Sequence, residues 1–243
     1  MYRIFCTTVA LFACSAAGAS PQFFPGTGVG NALPSGDYIE QVTGAQYEAR
    51  FKADRFNWDS RLEYDGFPTN SDNTANVTNN IGQLGSRTYA FSLSHSVVDA
   101  TATWTITDTT SGAVTSLTLE TIPGSVANTI NIFTNGSRGD TDVSDLAFSG
   151  LGASLVDADF PNLDTSPATD TFEQALLFFG NAADLYSADW TLSGNIAFSN
   201  FTTNNPNEGN KITVKVQQSE LIPAPGAAAL LGVAGFVGVR RRR

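Results

Sequence analysis

Beyond its first fourteen residues the chain has no cysteine; Cys6 and Cys14 are the only two. A body without thiols forms no disulfide and offers no thiolate nucleophile or cysteine metal site. Its stability must rest on a large buried core. Histidine occurs once, as His95, and lysine three times. A Ser-His-Asp triad would need His95 beside both a nucleophile and a carboxylate, and no GxSxG elbow is present. A phosphate loop is also missing. Gly26-Thr27-Gly28-Val29-Gly30 follows no strand pattern and leads to no lysine, so it reads as linker. Positive charge is scarce. Within residues 20–222, eight Lys and Arg stand against 23 Asp and Glu, a net charge of −15. Such a body repels nucleic acid and anionic lipid and favours divalent cations.

What is present begins at the N-terminus. Arg3 gives a short positive region, and Ile4 to Ala13 are apolar except for Thr7 and Thr8. Ala17-Gly18-Ala19 then puts small side chains where a signal peptidase needs them. Residues 1–19 therefore read as a secretory signal cut between Ala19 and Ser20. The run is too short to span a bilayer permanently. A buried N-terminal helix and lipid attachment at Cys14, after Leu11-Phe12-Ala13, are the alternatives.

The C-terminus reads IPAPGAAALLGVAGFVGVRRRR. Pro223 and Pro225 stop any preceding element, because proline lacks the backbone donor. Residues 227–239 are uninterruptedly apolar or small, and Arg240, Arg241, Arg242 and Arg243 close the chain. As a helix this stretch reaches about 20 Å, short of a hydrocarbon core of about 30 Å. The arginines favour the cytoplasmic side, which leaves the body outside. This tail, residues 219–243, resembles the PEP-CTERM sorting signal of exosortase-bearing bacteria. Pro223, Ala224, Pro225 and Gly226 form the motif, with Ala224 where the family pattern has glutamate. The resemblance implies that an exosortase cuts near this motif. A plain short C-terminal anchor is the other reading.

Between the two ends, Ser, Thr, Asn and Gly are abundant, as in strands joined by polar turns. Residues 20–36 read as an extended Pro/Gly linker and 37–218 as one β-rich ectodomain. Tyr89, Phe91, Leu93, His95 and Val97 alternate with small polar residues, a half-buried strand. Ala102, Trp104 and Ile106 alternate with Thr101, Thr103, Thr105 and Thr107, and Thr110-Ser111-Gly112 marks a turn. Further strands are expected at Tyr47–Lys52, Arg61–Tyr64, Leu117–Leu119, Thr129–Phe133, Asp145–Phe148, Trp190–Phe198 and Ile212–Val216. Phe67 to Gly85 reads as a long surface loop. Phe172 to Tyr186 fits helix or buried strand, with strand preferred. Short strands at regular spacing predict an all-β, antiparallel β-sandwich or jelly-roll-like fold. Phe56-Asn57-Trp58, Tyr89 to Ser94, Ser116 to Leu119, Leu146-Ala147-Phe148 and Trp190 to Gly194 resemble the "choice-of-anchor W" type of bacterial ectodomain. That resemblance implies a surface location and no particular chemistry.

Few residues suggest chemistry. Asp140, Asp142 and Asp145 lie close together in sequence and could supply oxygens to Ca²⁺ from a loop, with Asn135 adding a ligand. Asp157 and Asp159 make a weaker pair. The same acids could equally form a solvated turn. His95 falls on the core face. Trp58, between Asn57 and Asp59, is the candidate sugar-stacking platform, whereas Trp104 and Trp190 alternate with Ile and Leu and are expected in the core. An acid pair for glycoside hydrolysis has no strand motif to mark it. The expectation is a secreted, non-catalytic surface or matrix protein with no obligatory cofactor. Signal peptidase and exosortase would process it, the tail would hold it transiently in the inner membrane, and extracellular polysaccharide is a possible partner. A carbohydrate-binding module, with or without calcium, is the alternative, and a glycoside hydrolase the third reading.

Overall fold

Period-two alternation places one face of each strand in a core and the other toward solvent, and the chain satisfies this in two sheets. The computed structural model describes residues 21–27, 39–53, 57–65, 79–80, 87–121, 126–168, 171–180, 182–201 and 210–221. The strands among them are β1 (Gln22–Thr27), β2 (Ile39–Ala53), β3 (Asn57–Asp65), β4 (Asn79–Asn80), β5 (Arg87–Ser96), β6 (Thr101–Asp108) and β7 (Val114–Glu120). They continue with β8 (Thr129–Asn135), β9 (Asp140–Gly150), β10 (Ala153–Leu155), β11 (Phe172–Phe178), β12 (Trp190–Ser199) and β13 (Asn210–Leu221). One sheet has the order β1-β11-β8-β13-β2-β3-β4, the other β10-β9-β12-β5-β6-β7. Every neighbouring pair is antiparallel. The fold is therefore all-β, with two antiparallel sheets packed face to face.

Aromatic rings close the space between the sheets. Phe51 of β2 lies 4.9 Å from Tyr89 of β5 and 5.6 Å from Phe198 of β12, centroid to centroid. The Trp104 indole of β6 donates across the core to Ser60 Oγ of β3 at 3.0 Å. Tilted and edge-on ring pairs of this kind add to the burial of their area.

The middle of the seven-stranded sheet is buried on both faces. In β8 Thr129 to Thr134 are all buried, and in β11 Gln174 to Phe178. This accounts for Leu176-Leu177-Phe178-Phe179, which reads as a continuous run rather than an alternation. The preference for strand there holds, and a single 3-10 turn at Leu185–Ser187 follows.

Four stretches differ from the sequence reading. The segment expected to be linker holds β1, an edge strand on β11. Pro25 fits there because an edge strand leaves one side of the backbone without ladder bonds. The expected loop at 67–85 includes β4, which pairs Asn79 with Trp58; its other residues lie outside those described. Val97, expected in the core, is 41% exposed in the turn after β5. The acidic stretch expected to be a loop, Asp140 to Asp145, is the first half of β9.

A bulge lets β9 carry those acids. Thr141 faces inward before it, and Leu146 and Phe148 face inward after it. The register against β12 shifts between Ser193 and Asn195. Asp145 takes up the shift with a φ of 53°, a left-handed conformation that Asp tolerates better than most residues. Asn195 Nδ2 donates to its carboxylate at 2.7 Å.

The β6–β7 hairpin is organised by Asp108. Its carboxylate accepts from the Thr110 and Ser111 backbone N–H groups at 2.8 and 3.2 Å and from Arg87 at 3.1 Å. Burial by itself would raise this carboxyl; the two turn N–H groups and Arg87 outweigh burial and lower it below the ordinary 3.8. The folded state therefore binds this proton less tightly than the unfolded chain does. Its stabilisation is present above the unfolded value and is lost as pH falls through the lowered one. Asp108→Ala is expected to cost about 1–2 kcal/mol at neutral pH. The difference from the parent should shrink below the ordinary value of 3.8, as read by thermal unfolding along an acid series.

Candidate functional site

The residues that the sequence singles out do not converge. Trp58 is 7% exposed, and its ring meets Phe51 edge-on at 5.7 Å. It is a core ring and presents no stacking face to a sugar. Its polar neighbours misdirect the reading. They are the outward half of a strand in which Trp58, Ser60 and Leu62 point inward, while Asp59 and Arg61 pair outside at 3.0 Å. Trp104 and Trp190 are 0% and 2% exposed, as their alternation predicts.

His95 is buried on the inner face of β5. Its Nδ1 lies 3.1 Å from the Ala188 carbonyl and so carries the proton that donates to it. The ring stacks on Trp190 at 6.2 Å and meets Tyr186 edge-on at 5.7 Å. Its Nε2 is buried without a hydrogen bond, so neither nitrogen bonds a hydroxyl or carboxylate among the described residues. Tyr47 packs on the other side of Tyr186 at 6.2 Å. Burial, and then the neighbouring phenol of Tyr186, pushes the Tyr47 hydroxyl well above its ordinary 10.0. Burial and then Asp184 push Tyr186 upward as well. His95, Tyr186, Trp190 and Tyr47 form one aromatic cluster.

Asp140, Asp142 and Asp145 share β9. Asp140 accepts from Asn200 Nδ2 and Asp145 from Asn195 Nδ2. Asp142 has its carboxyl raised by burial and then by Asp164 and Asp140. Asn135 Oδ1 accepts from the Ser137 backbone at 2.9 Å. Asp157 accepts from the Leu146 N–H at the bulge, and Asp159 from the Val156 N–H. No group of three His, Cys, Asp or Glu side chains suited to a metal occurs among the described residues. The sorting motif Pro223–Gly226, Arg240–Arg243 and the cleavage residues Ala17, Ala19 and Ser20 lie outside the described residues.

One arrangement does emerge from the pairing of strands. On the outer face of the six-stranded sheet, Ser154, Ser149, Thr191, Ser94, Thr103 and Thr118 stand in direct cross-strand register across all six strands. The next row holds Ser193, Ser92, Thr105 and Ser116, ending at Ala147. Thr103 and Thr118 share a hydroxyl hydrogen bond of 3.3 Å, and Thr105 and Ser116 one of 3.2 Å. With strands about 4.8 Å apart, the first row covers about 24 Å, and the second lies about 7 Å from it. The alternation in β5, β6, β7 and β12 already marks Ser94, Thr103, Thr118 and Thr191 as outward, whereas Ser149 and Ser154 lie beyond the strands expected from the sequence. Their alignment into rows is a property of the fold.

No protein-family model matches the chain, and no curated protein matches it in sequence.

Proposed function

We propose that the chain is an exported, non-enzymatic structural protein of the cell surface or extracellular matrix, processed at its C-terminal sorting signal. In this reading a jelly-roll-like ectodomain lies between a removable N-terminal signal helix and a short transmembrane sorting helix. One observation carries it. The described strands run from Gln22 to Leu221, and the two segments that read as addresses lie before and after them in the sequence. The first strand begins three residues after the expected cut at Ala19. The last ends two residues before Pro223.

Replacement of Arg240 to Arg243 with neutral residues tests the sorting step. The basic cluster fixes the orientation of the apolar stretch, so the variant is expected to lose surface delivery in cell fractionation. Delivery at the parent level would refute the sorting role. Mass spectrometry of the exported protein should find Ser20 as its first residue.

A further inference from the structure

We propose that the outer face of the six-stranded sheet binds a neutral, hydroxyl-rich polysaccharide, laid across the strands along the six-hydroxyl row. The proposal uses the exported reading only for location, since such a polymer lies outside the cell; the binding itself is tested on purified protein.

Charge is the first ground. The body carries −15, yet both rows consist of Ser and Thr with a single Ala. The acids on this face stand at its rim. Glu120 pairs with Thr101 at one end, and Asp140, Asp142 and Asp145 lie at the other. An anionic polymer would be repelled by that rim and by the net charge. A cationic one would be drawn to the acidic rim and not to the rows, which carry no counter-charge. A neutral chain meets neither obstacle.

Chemistry and shape are the second ground. Each hydroxyl is one donor and two acceptor sites, the complement of a sugar hydroxyl. Ser94, Thr191 and Ser149 spend none of theirs on a bond between side chains of the described residues, and Ser149, Ser154 and Thr118 are exposed. The side chains are short, so a flat ring can approach, and the Thr methyls offer contact to its C–H edges. An extended polysaccharide advances per ring by close to one strand spacing, so successive rings meet successive strands. A flexible chain also follows the twist that a sheet imposes on the row, which a rigid crystal plane does not. A protein partner would need aromatic, Arg or aliphatic anchors, and the rows have none. All three tryptophans are buried, so recognition here runs through hydroxyls and not through stacking. Many weak contacts along one polymer add up by multivalency.

The test is co-sedimentation of the full chain with amorphous cellulose, a neutral glucan, and with alginate, an anionic polyuronate, at low and high salt. The parent is expected to sediment with cellulose at both salt concentrations and not with alginate. The triple variant Ser94→Ala/Thr103→Val/Thr191→Val removes three hydroxyls at nearly constant shape, and each Thr→Val exchanges one β-branched strand former for another. It is expected to retain the parent's thermal midpoint and to bind cellulose roughly tenfold more weakly or worse. Thr103→Ser keeps a hydroxyl and should bind like the parent. A second variant, Ser94→Glu, places a charge in mid-row and should abolish sedimentation. Failure of the parent to sediment with cellulose overturns the proposal. So does undiminished binding by the triple variant, or a preference for alginate. Each of these results leaves the sorting experiment to be decided separately.

Discussion

Trp104→Ala is expected to destabilise the domain by about 3–5 kcal/mol, the cost of emptying a large buried aromatic site. The ring is 0% exposed and is the largest side chain buried so completely. It packs against Phe91 at 5.6 Å, and its Nε1 bonds Ser60 across the two sheets. The substitution therefore opens a cavity and also strips a buried hydroxyl of its donor, two penalties that add. Collapse of the cavity is hindered because its walls are strands fixed by ladder bonds on both sheets. Trp104→Phe separates the two contributions. It keeps most of the apolar volume and loses the hydrogen bond with a small part of the packing, and should cost about 1–3 kcal/mol. Denaturant titrations should show a lower midpoint at unchanged slope. A Trp104→Ala protein with the parent's midpoint would mean that this ring does not bridge the sheets.

Gly150→Ala should be nearly as damaging, at about 3 kcal/mol or more, although it adds a single methyl. Gly150 closes β9 at a φ of 137°, a conformation open in practice only to glycine. A Cβ there would lie 2.4 Å from Trp190 Cβ, 2.7 Å from the Asp189 carbonyl and 2.8 Å from Trp190 Cα. Two of those three atoms are backbone, and a backbone held by paired strands has no rotamer with which to yield. The contact is tight because Gly150 pairs directly with Trp190, whose side chain supports His95 and Phe148. Gly112→Ala is the informative control. It has a φ of 72° with nothing within 4 Å of an added Cβ, so only conformational strain applies, and the loss should be about 1 kcal/mol. Equal losses at both positions would remove close backbone approach as the cause at Gly150.

Strands β5, β6 and β12 are legible in the sequence apart from the end of β5 at Val97. Each keeps strict alternation over eight to ten residues, which is the pattern a half-buried strand requires. The fold class follows from these strands and their regular spacing. Legibility ends where a strand is short of alternation or carries a bulge. In β9 the inward set changes parity at Asp145, so the acids before it look like a turn. Trp58 looks exposed because its neighbours are polar, yet polar neighbours are what alternation gives an inward tryptophan. Strand β1 resembles linker because only an edge position tolerates its proline.

The candidate surface divides along the same line. Sequence by itself determined that Ser94, Thr103, Thr118 and Thr191 point outward, that these residues are uncharged, and that the acidic body lacks thiols and carries one histidine. Those properties are local, set by backbone period and residue type. Only the tertiary structure decided that Ser94, Thr103, Thr118, Ser149, Ser154 and Thr191 share one row, and that Trp58 turns inward like the other two tryptophans. Strand pairing joins residues nearly a hundred positions apart, as Thr191 with Ser94. A slip of one residue in any pair would send the hydroxyls to the opposite face. The register is held by the buried face, where Trp104, Phe91 and Leu192 fit in one arrangement. The outer row is therefore aligned by packing on the other side of the same sheet.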